Sequence, residues 1–132
     1  MKVLLDIDEK TFVSTLTVRD GDVVWSKQEF PPEQALKALG LAHVARLEFK
    51  VSDPVVFPQL NDPSDHAGEL MLITPDDIYM VLASMQSFMC DLAGREDDDA
   101  KNFFKTFMKM SAQYLRLAAS RSSSGQALEV QE

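Results

Sequence analysis

The chain has 132 residues, which is room for one domain with a useful core and little space for a second. Hydrophobic residues make up 45% and charged residues 26%, a globular balance, but 21 acids against 13 bases leave a net charge of −8. That sign repels phosphate backbones and anionic lipid, so no nucleic-acid or membrane partner is expected, and a basic protein partner is favoured.

Residues 2–8, KVLLDID, alternate as a strand, with Val3, Leu5 and Ile7 on one face and Leu4, Asp6 and Asp8 on the other. Residues 12–19, FVSTLTVR, alternate likewise, with Phe12, Ser14, Leu16 and Val18 sharing a face. Asp20-Gly21-Asp22 predicts a tight turn into a partner strand, VVWSKQEF, giving a three-strand antiparallel meander. PPEQALKALG then predicts two turns of helix, with Pro32 at the first position and Gly40 as the stop. The alternation in VARLEFKVS at 44–52 predicts a fourth strand. Residues 53–68 hold three of the six prolines and predict a long loop with a short extended piece at Val55–Phe57. ELMLI at 69–73 predicts a short fifth strand.

Thr74-Pro75-Asp76-Asp77 is a helix start, with Thr74 as cap, proline first and acids at the positive end. The helix is expected to run to about Ala93, with Gly94 as its stop. A last helix opens at REDDD and is expected to end near Ser120, leaving 121–132 as a polar tail. The expected fold is therefore α+β over 1–120: an antiparallel sheet of four or five strands packed against a C-terminal antiparallel helical hairpin.

Chemistry has few footholds. VLLDIDEKT resembles the nucleophile motif of haloacid-dehalogenase-type phosphatases, a hydrophobic strand ending in D-x-D-x-T. That resemblance implies Asp6 as nucleophile and Asp8 as acid, although Lys10 stands where the threonine belongs. The element order is also similar to that of ribonuclease-H-like nucleases. There, acids such as Asp6 or Asp8, Glu33, and Asp53 or Asp77 would bind two metal ions. A metal-dependent phosphoesterase or nuclease using Asp6 and Asp8 is thus the alternative expectation. His43 and His66 lack zinc-ligand spacing. Cys90 is the single cysteine, sits between apolar neighbours and reads as a small hydrophobe. With one cysteine, no N-terminal leader pattern and no apolar run of about 20 residues, the expected compartment is the cytoplasm. No cofactor is implied.

The two C-terminal helices carry the clearest pattern. Ile78, Leu82, Met85, Met89 and Leu92 form one seam, and Phe103, Phe107, Met110, Tyr114 and Leu117 a second, both at spacings suited to antiparallel packing. Beside each seam runs another apolar row: Val81 and Phe88 in the first helix, Phe104, Met108, Leu115 and Ala118 in the second. Six of the seven methionines fall between 71 and 110, and flexible thioethers suit surfaces that adapt to partners. The expected function is a non-enzymatic protein-binding module of inhibitor, immunity, anti-defence, chaperone or adaptor type. Phe88, Phe104, Met108 and Leu115 are its expected contact residues, and Glu96, Asp97, Asp98 and Asp99 would steer a basic target. A homodimer through the C-terminal helices is a further expectation.

Overall fold

The structure is a computed structural model describing residues 1–60 and 74–131, with side chains described as far as Arg121. Three strands, β1 (Lys2–Ile7), β2 (Ser14–Asp20) and β3 (Val23–Phe30), form an antiparallel meander in the order β1-β2-β3. The alternating residues Val3, Leu5, Ile7, Phe12, Leu16 and Val18 are all buried, so the sheet has one apolar inner face, as the period of two requires. The β2–β3 turn places Gly21 at φ 59°, the left-handed region that a two-residue hairpin needs at its first central position.

The β1–β2 connection is unusual. Asp8 Oδ1 accepts hydrogen bonds from the backbone amides of Lys10 (2.8 Å) and Thr11 (2.9 Å), folding the loop into an Asx turn. The turn delivers Phe12 at φ 59° with its side chain buried. Its ring packs edge-on against Phe103 at 6.1 Å and tilted against Phe104 at 5.8 Å. A bulky residue in the left-handed region is strained by roughly 1–2 kcal/mol, so the burial of this ring must outweigh a real local cost.

A short 3-10 turn (Pro32–Gln34) leads into α1 (Ala35–Glu48), 14 residues long. The expected stop at Gly40 and the expected strand at 44–52 are both overturned: one helix runs through Gly40 and covers most of that segment. Ala35, Ala38, Leu39, Ala42 and Ala45 form a small, buried stripe that continues past the glycine, letting the helix lie close over β1 and β2. A glycine inside a helix costs only about 1 kcal/mol, which this continuous stripe offsets. The true end is a Schellman motif: Val51 N–H donates to Arg46 C=O at 2.9 Å and Lys50 N–H to Leu47 C=O at 3.2 Å. Lys50, not glycine, holds the left-handed position at φ 54°.

Val56 supplies the expected extended piece, bridging in parallel to Leu4 along the outer edge of β1. Among the described residues the sheet therefore has three strands, and the strand expected at 44–52 is not one of them; the strand expected at 69–73 lies outside the described residues.

α2 (Pro75–Leu92) opens with a reciprocal capping box. The Asp77 amide donates to Thr74 Oγ1 at 3.2 Å and the Thr74 amide to Asp77 Oδ2 at 3.3 Å. Gly94, at φ 86°, follows its cap. α3 (Asp98–Gln131) is longer than the expected helix, its backbone remaining helical beyond Ser120. Asp97 caps it through Oδ1, which accepts from the Ala100 amide at 3.2 Å. The two helices are antiparallel: the short 93–97 connection joins them at one end, and Arg121 pairs with Asp76 at 2.9 Å at the other. Among the described residues no helix is long and apolar enough to cross a membrane.

Replacing Phe12 with alanine is expected to lower stability by about 3–4 kcal/mol in urea unfolding, since both helix contacts of the hairpin loop go with the ring. Gly40→Ala, where an added Cβ meets nothing within 4 Å, and Lys50→Gly, which relieves the left-handed lysine, should each raise stability by about 0.5–1 kcal/mol.

Candidate interaction surface

The second apolar row of α3 is not a surface. Phe104, Met108 and Leu115 are 6%, 1% and 3% exposed, and their expected place in a partner contact is corrected by that burial. The physical reason lies in the segment after α1. Leu60 lines one cleft together with Phe104 and Met108, and Val55, Val56 and Phe57 line another with Ala112. The 55–60 segment thus flanks this side of α3, Phe12 packs on Phe104, and Val55 and Phe57 share one core with the row. Of the expected seam, Phe107 is buried, while Phe103, Met110, Tyr114 and Leu117 are only partly so.

On α2 the outcome is the opposite. Ile78, Leu82 and Met89 enter the core, but Met80, Val81 and Phe88 stand 67%, 43% and 58% exposed. Asp77, Met80, Val81, Ser84, Phe88 and Asp91 follow one another at helical spacing, so the apolar strip has an exposed carboxylate at each end. The apolar part, Met80 to Phe88, is about 12 Å long, and Asp77 and Asp91 lie about 21 Å apart along the helix. Tyr79, also exposed, lies on the other flank of α2 and meets Tyr114 in a tilted ring contact at 5.9 Å; the Tyr114 phenol is pushed up by burial and by Tyr79 and Asp76 beside it. Cys90 is exposed on α2 and lies 3.8 Å from a Glu33 carboxylate oxygen, in place of the expected burial.

The acids at 96–99 divide by role. Glu96 pairs with Lys10 at 3.0 Å, and that hydrogen bond and charge hold its carboxyl below the usual range. Asp97 pairs with Arg95 while capping α3, and the Arg95 contact lowers it in turn. Asp98 and Asp99 are exposed in the positive first turn of α3. The run is thus half committed to local structure.

Asp6 and Asp8 do not share an environment. Asp6 is half-buried on the outer sheet face beside Thr15, with a buried Oδ1 that lacks a hydrogen-bond partner. Asp8 lies past the end of β1, its Oδ1 engaged by two loop amides. Among the described residues no group of three or more His, Cys, Asp or Glu side chains could hold a metal ion. His43 is half-buried on α1, and burial, reinforced by the Arg46 charge, pushes its imidazole down; His66 lies outside the described residues. Comparison with protein-family models, curated proteins and solved structures finds no match to this chain.

The hydrogen bonds from Thr11 and Lys10 hold the Asp8 carboxyl below its ordinary value of 3.8. A carboxyl lowered by folding stabilises above its unfolded value, and that contribution is lost as the pH falls through the folded one. The stability gap between wild type and Asp8→Ala should therefore be widest at neutral pH, where it is at most about 1 kcal/mol. It should narrow below pH 3.8, as thermal melts across an acid series would show.

Proposed function

We propose that the protein is a non-catalytic binding module that captures a basic, amphipathic segment of another protein on α2. The observation that carries this reading is the exposed Met80, Val81 and Phe88 strip with Asp77 and Asp91 at its ends. An isolated surface leucine or valine needs no explanation, but Met80, Val81 and Phe88 on one helix face, interrupted only by Ser84 and ended by like charges, make the shape of a recognition surface. A helix with apolar residues at i, i+4 and i+7 and basic residues at both ends complements it in spacing and charge. The net charge of −8 speeds encounter with such a segment, and Met80 adapts its flexible thioether to the side chain it meets.

The rival reading, a metal-dependent phosphoesterase at Asp6 and Asp8, has one supporting observation in the unpartnered Asp6 oxygen. Capture of Asp8 by the loop amides weighs against it, because that carboxylate already performs a structural task.

A designed basic amphipathic peptide titrated by calorimetry provides the test. Binding is expected to weaken with salt and to lose roughly 2 kcal/mol or more on Phe88→Ala, while the thermal midpoint of the free protein stays unchanged. A peptide that binds equally well to Phe88→Ala and Met80→Ala would remove the assignment. Magnesium or manganese is expected to leave the midpoint where it is; a rise abolished by Asp6→Asn would favour the enzyme.

A further inference from the structure

The sheet has two outer edges, and they are treated differently. Val56 covers the β1 edge, with the Leu5 amide donating to Val56 C=O and the Val56 amide to Val3 C=O, both at 3.0 Å. Along β3 the ladder runs only to β2, α1 lies over β1 and β2, and every residue from Val23 to Glu29 is exposed or half-buried. Among the described residues β3 is therefore an open edge, a row of backbone donors and acceptors without a neighbouring strand.

We infer that β3 pairs antiparallel with β3 of a second copy of this chain, across a two-fold axis at Gln28. Two independent features point to that centre. The first is where the regular strand begins and ends. Ser26 pairs with Val18 and Val24 with Arg19, so Trp25 is the extra residue of a bulge. Pro31, immediately after β3, has no amide hydrogen to give a ladder. The regular segment is Ser26–Phe30, and its midpoint is Gln28.

The second feature is charge. Lys27 pairs with Thr17 and Glu29 with Thr15, so both lie on the sheet face opposite α1. In a self-pairing centred on Gln28 each Lys27 stands directly across from the other copy's Glu29, twice by symmetry. A centre one residue earlier would set Lys27 against Lys27, and a centre on Glu29 would oppose the two glutamates. A lone lysine on an edge normally deters pairing; the glutamate two residues later makes this edge self-complementary instead. On the inner face the two Gln28 side chains meet, and amides can both donate and accept. The exposed Trp25, whose ring already meets Phe49 of its own chain at 6.5 Å, then lies across from Pro31 of the second copy at each end of the ladder.

The dimer uses a surface separate from the α2 strip, so it stands or falls independently of the proposed peptide capture. Sedimentation equilibrium of the full chain up to about 1 mM, a range that reaches weak self-association, is expected to show a concentration-dependent dimer. Lys27→Glu and Glu29→Lys should each weaken it roughly tenfold or more, because each sets like charges opposite one another twice. The double variant Lys27→Glu/Glu29→Lys should restore it, and Phe88→Ala should leave it intact. Hydrogen exchange on wild type provides a check without mutation: amides in 26–30 should gain protection as concentration rises. A wild type that remains monomeric, a dimer indifferent to the single reversals, or a double variant that folds normally but stays monomeric would each overturn the proposal.

Discussion

The ring of Phe12 ties the β1–β2 loop to α3, within a core that also joins the sheet and α1 to both C-terminal helices. Phe12 leaves the β1–β2 loop in a left-handed conformation and reaches Phe103 and Phe104 on α3. The strain is of order 1–2 kcal/mol, while burying a phenylalanine contributes roughly 1.5–3 kcal/mol and its aromatic contacts somewhat more. Asp8 adds to that balance by folding the loop through two amide hydrogen bonds. Neighbouring contacts follow from that placement: the Gly94 amide donates to Lys10 C=O, and the Lys10 side chain reaches Glu96. The hairpin loop and the α2–α3 connection are thereby one unit.

That arrangement decides which apolar surface is left over. With α3 set against the hairpin loop, Phe104, Met108 and Leu115 belong to the buried core, and Leu60 lies beside the first two. α2 gains no second cover among the described residues, so its outer row remains in water. Both helices carry two apolar rows of similar width, and only the position of neighbouring backbone distinguishes a core row from an exposed one.

The acidic excess is likewise partly structural. Asp8 builds a turn, Asp77 and Asp97 serve helix starts, Asp76 binds Arg121, and Glu96 binds Lys10. Exposed ion pairs add little stability, but amide-capping carboxylates fix where elements begin. Asp91, Asp98 and Asp99 are exposed to solvent, and Asp77 also stays exposed at the end of the α2 strip while its Oδ2 accepts from the Thr74 amide.

Local order was legible in the sequence wherever one short-range rule acted alone. The alternation of Val3, Leu5 and Ile7, the turn at Gly21, the Thr74 cap and the Gly94 stop all depend on residues within a few positions of each other. The sequence signal failed where two rules competed. Gly40 resembled a terminator and residues 44–52 alternated, yet the alanine stripe carried α1 through to an end marked by Lys50, a residue that gives no glycine signal. The identity of the candidate surface was beyond local rules altogether. Residue order is enough to show that the last two helices own more apolar rows than their mutual seam requires. Which row is hidden is settled by folding, because burial depends on what the distant 55–60 segment and the Phe12 loop lie against, and no periodicity within a helix encodes that.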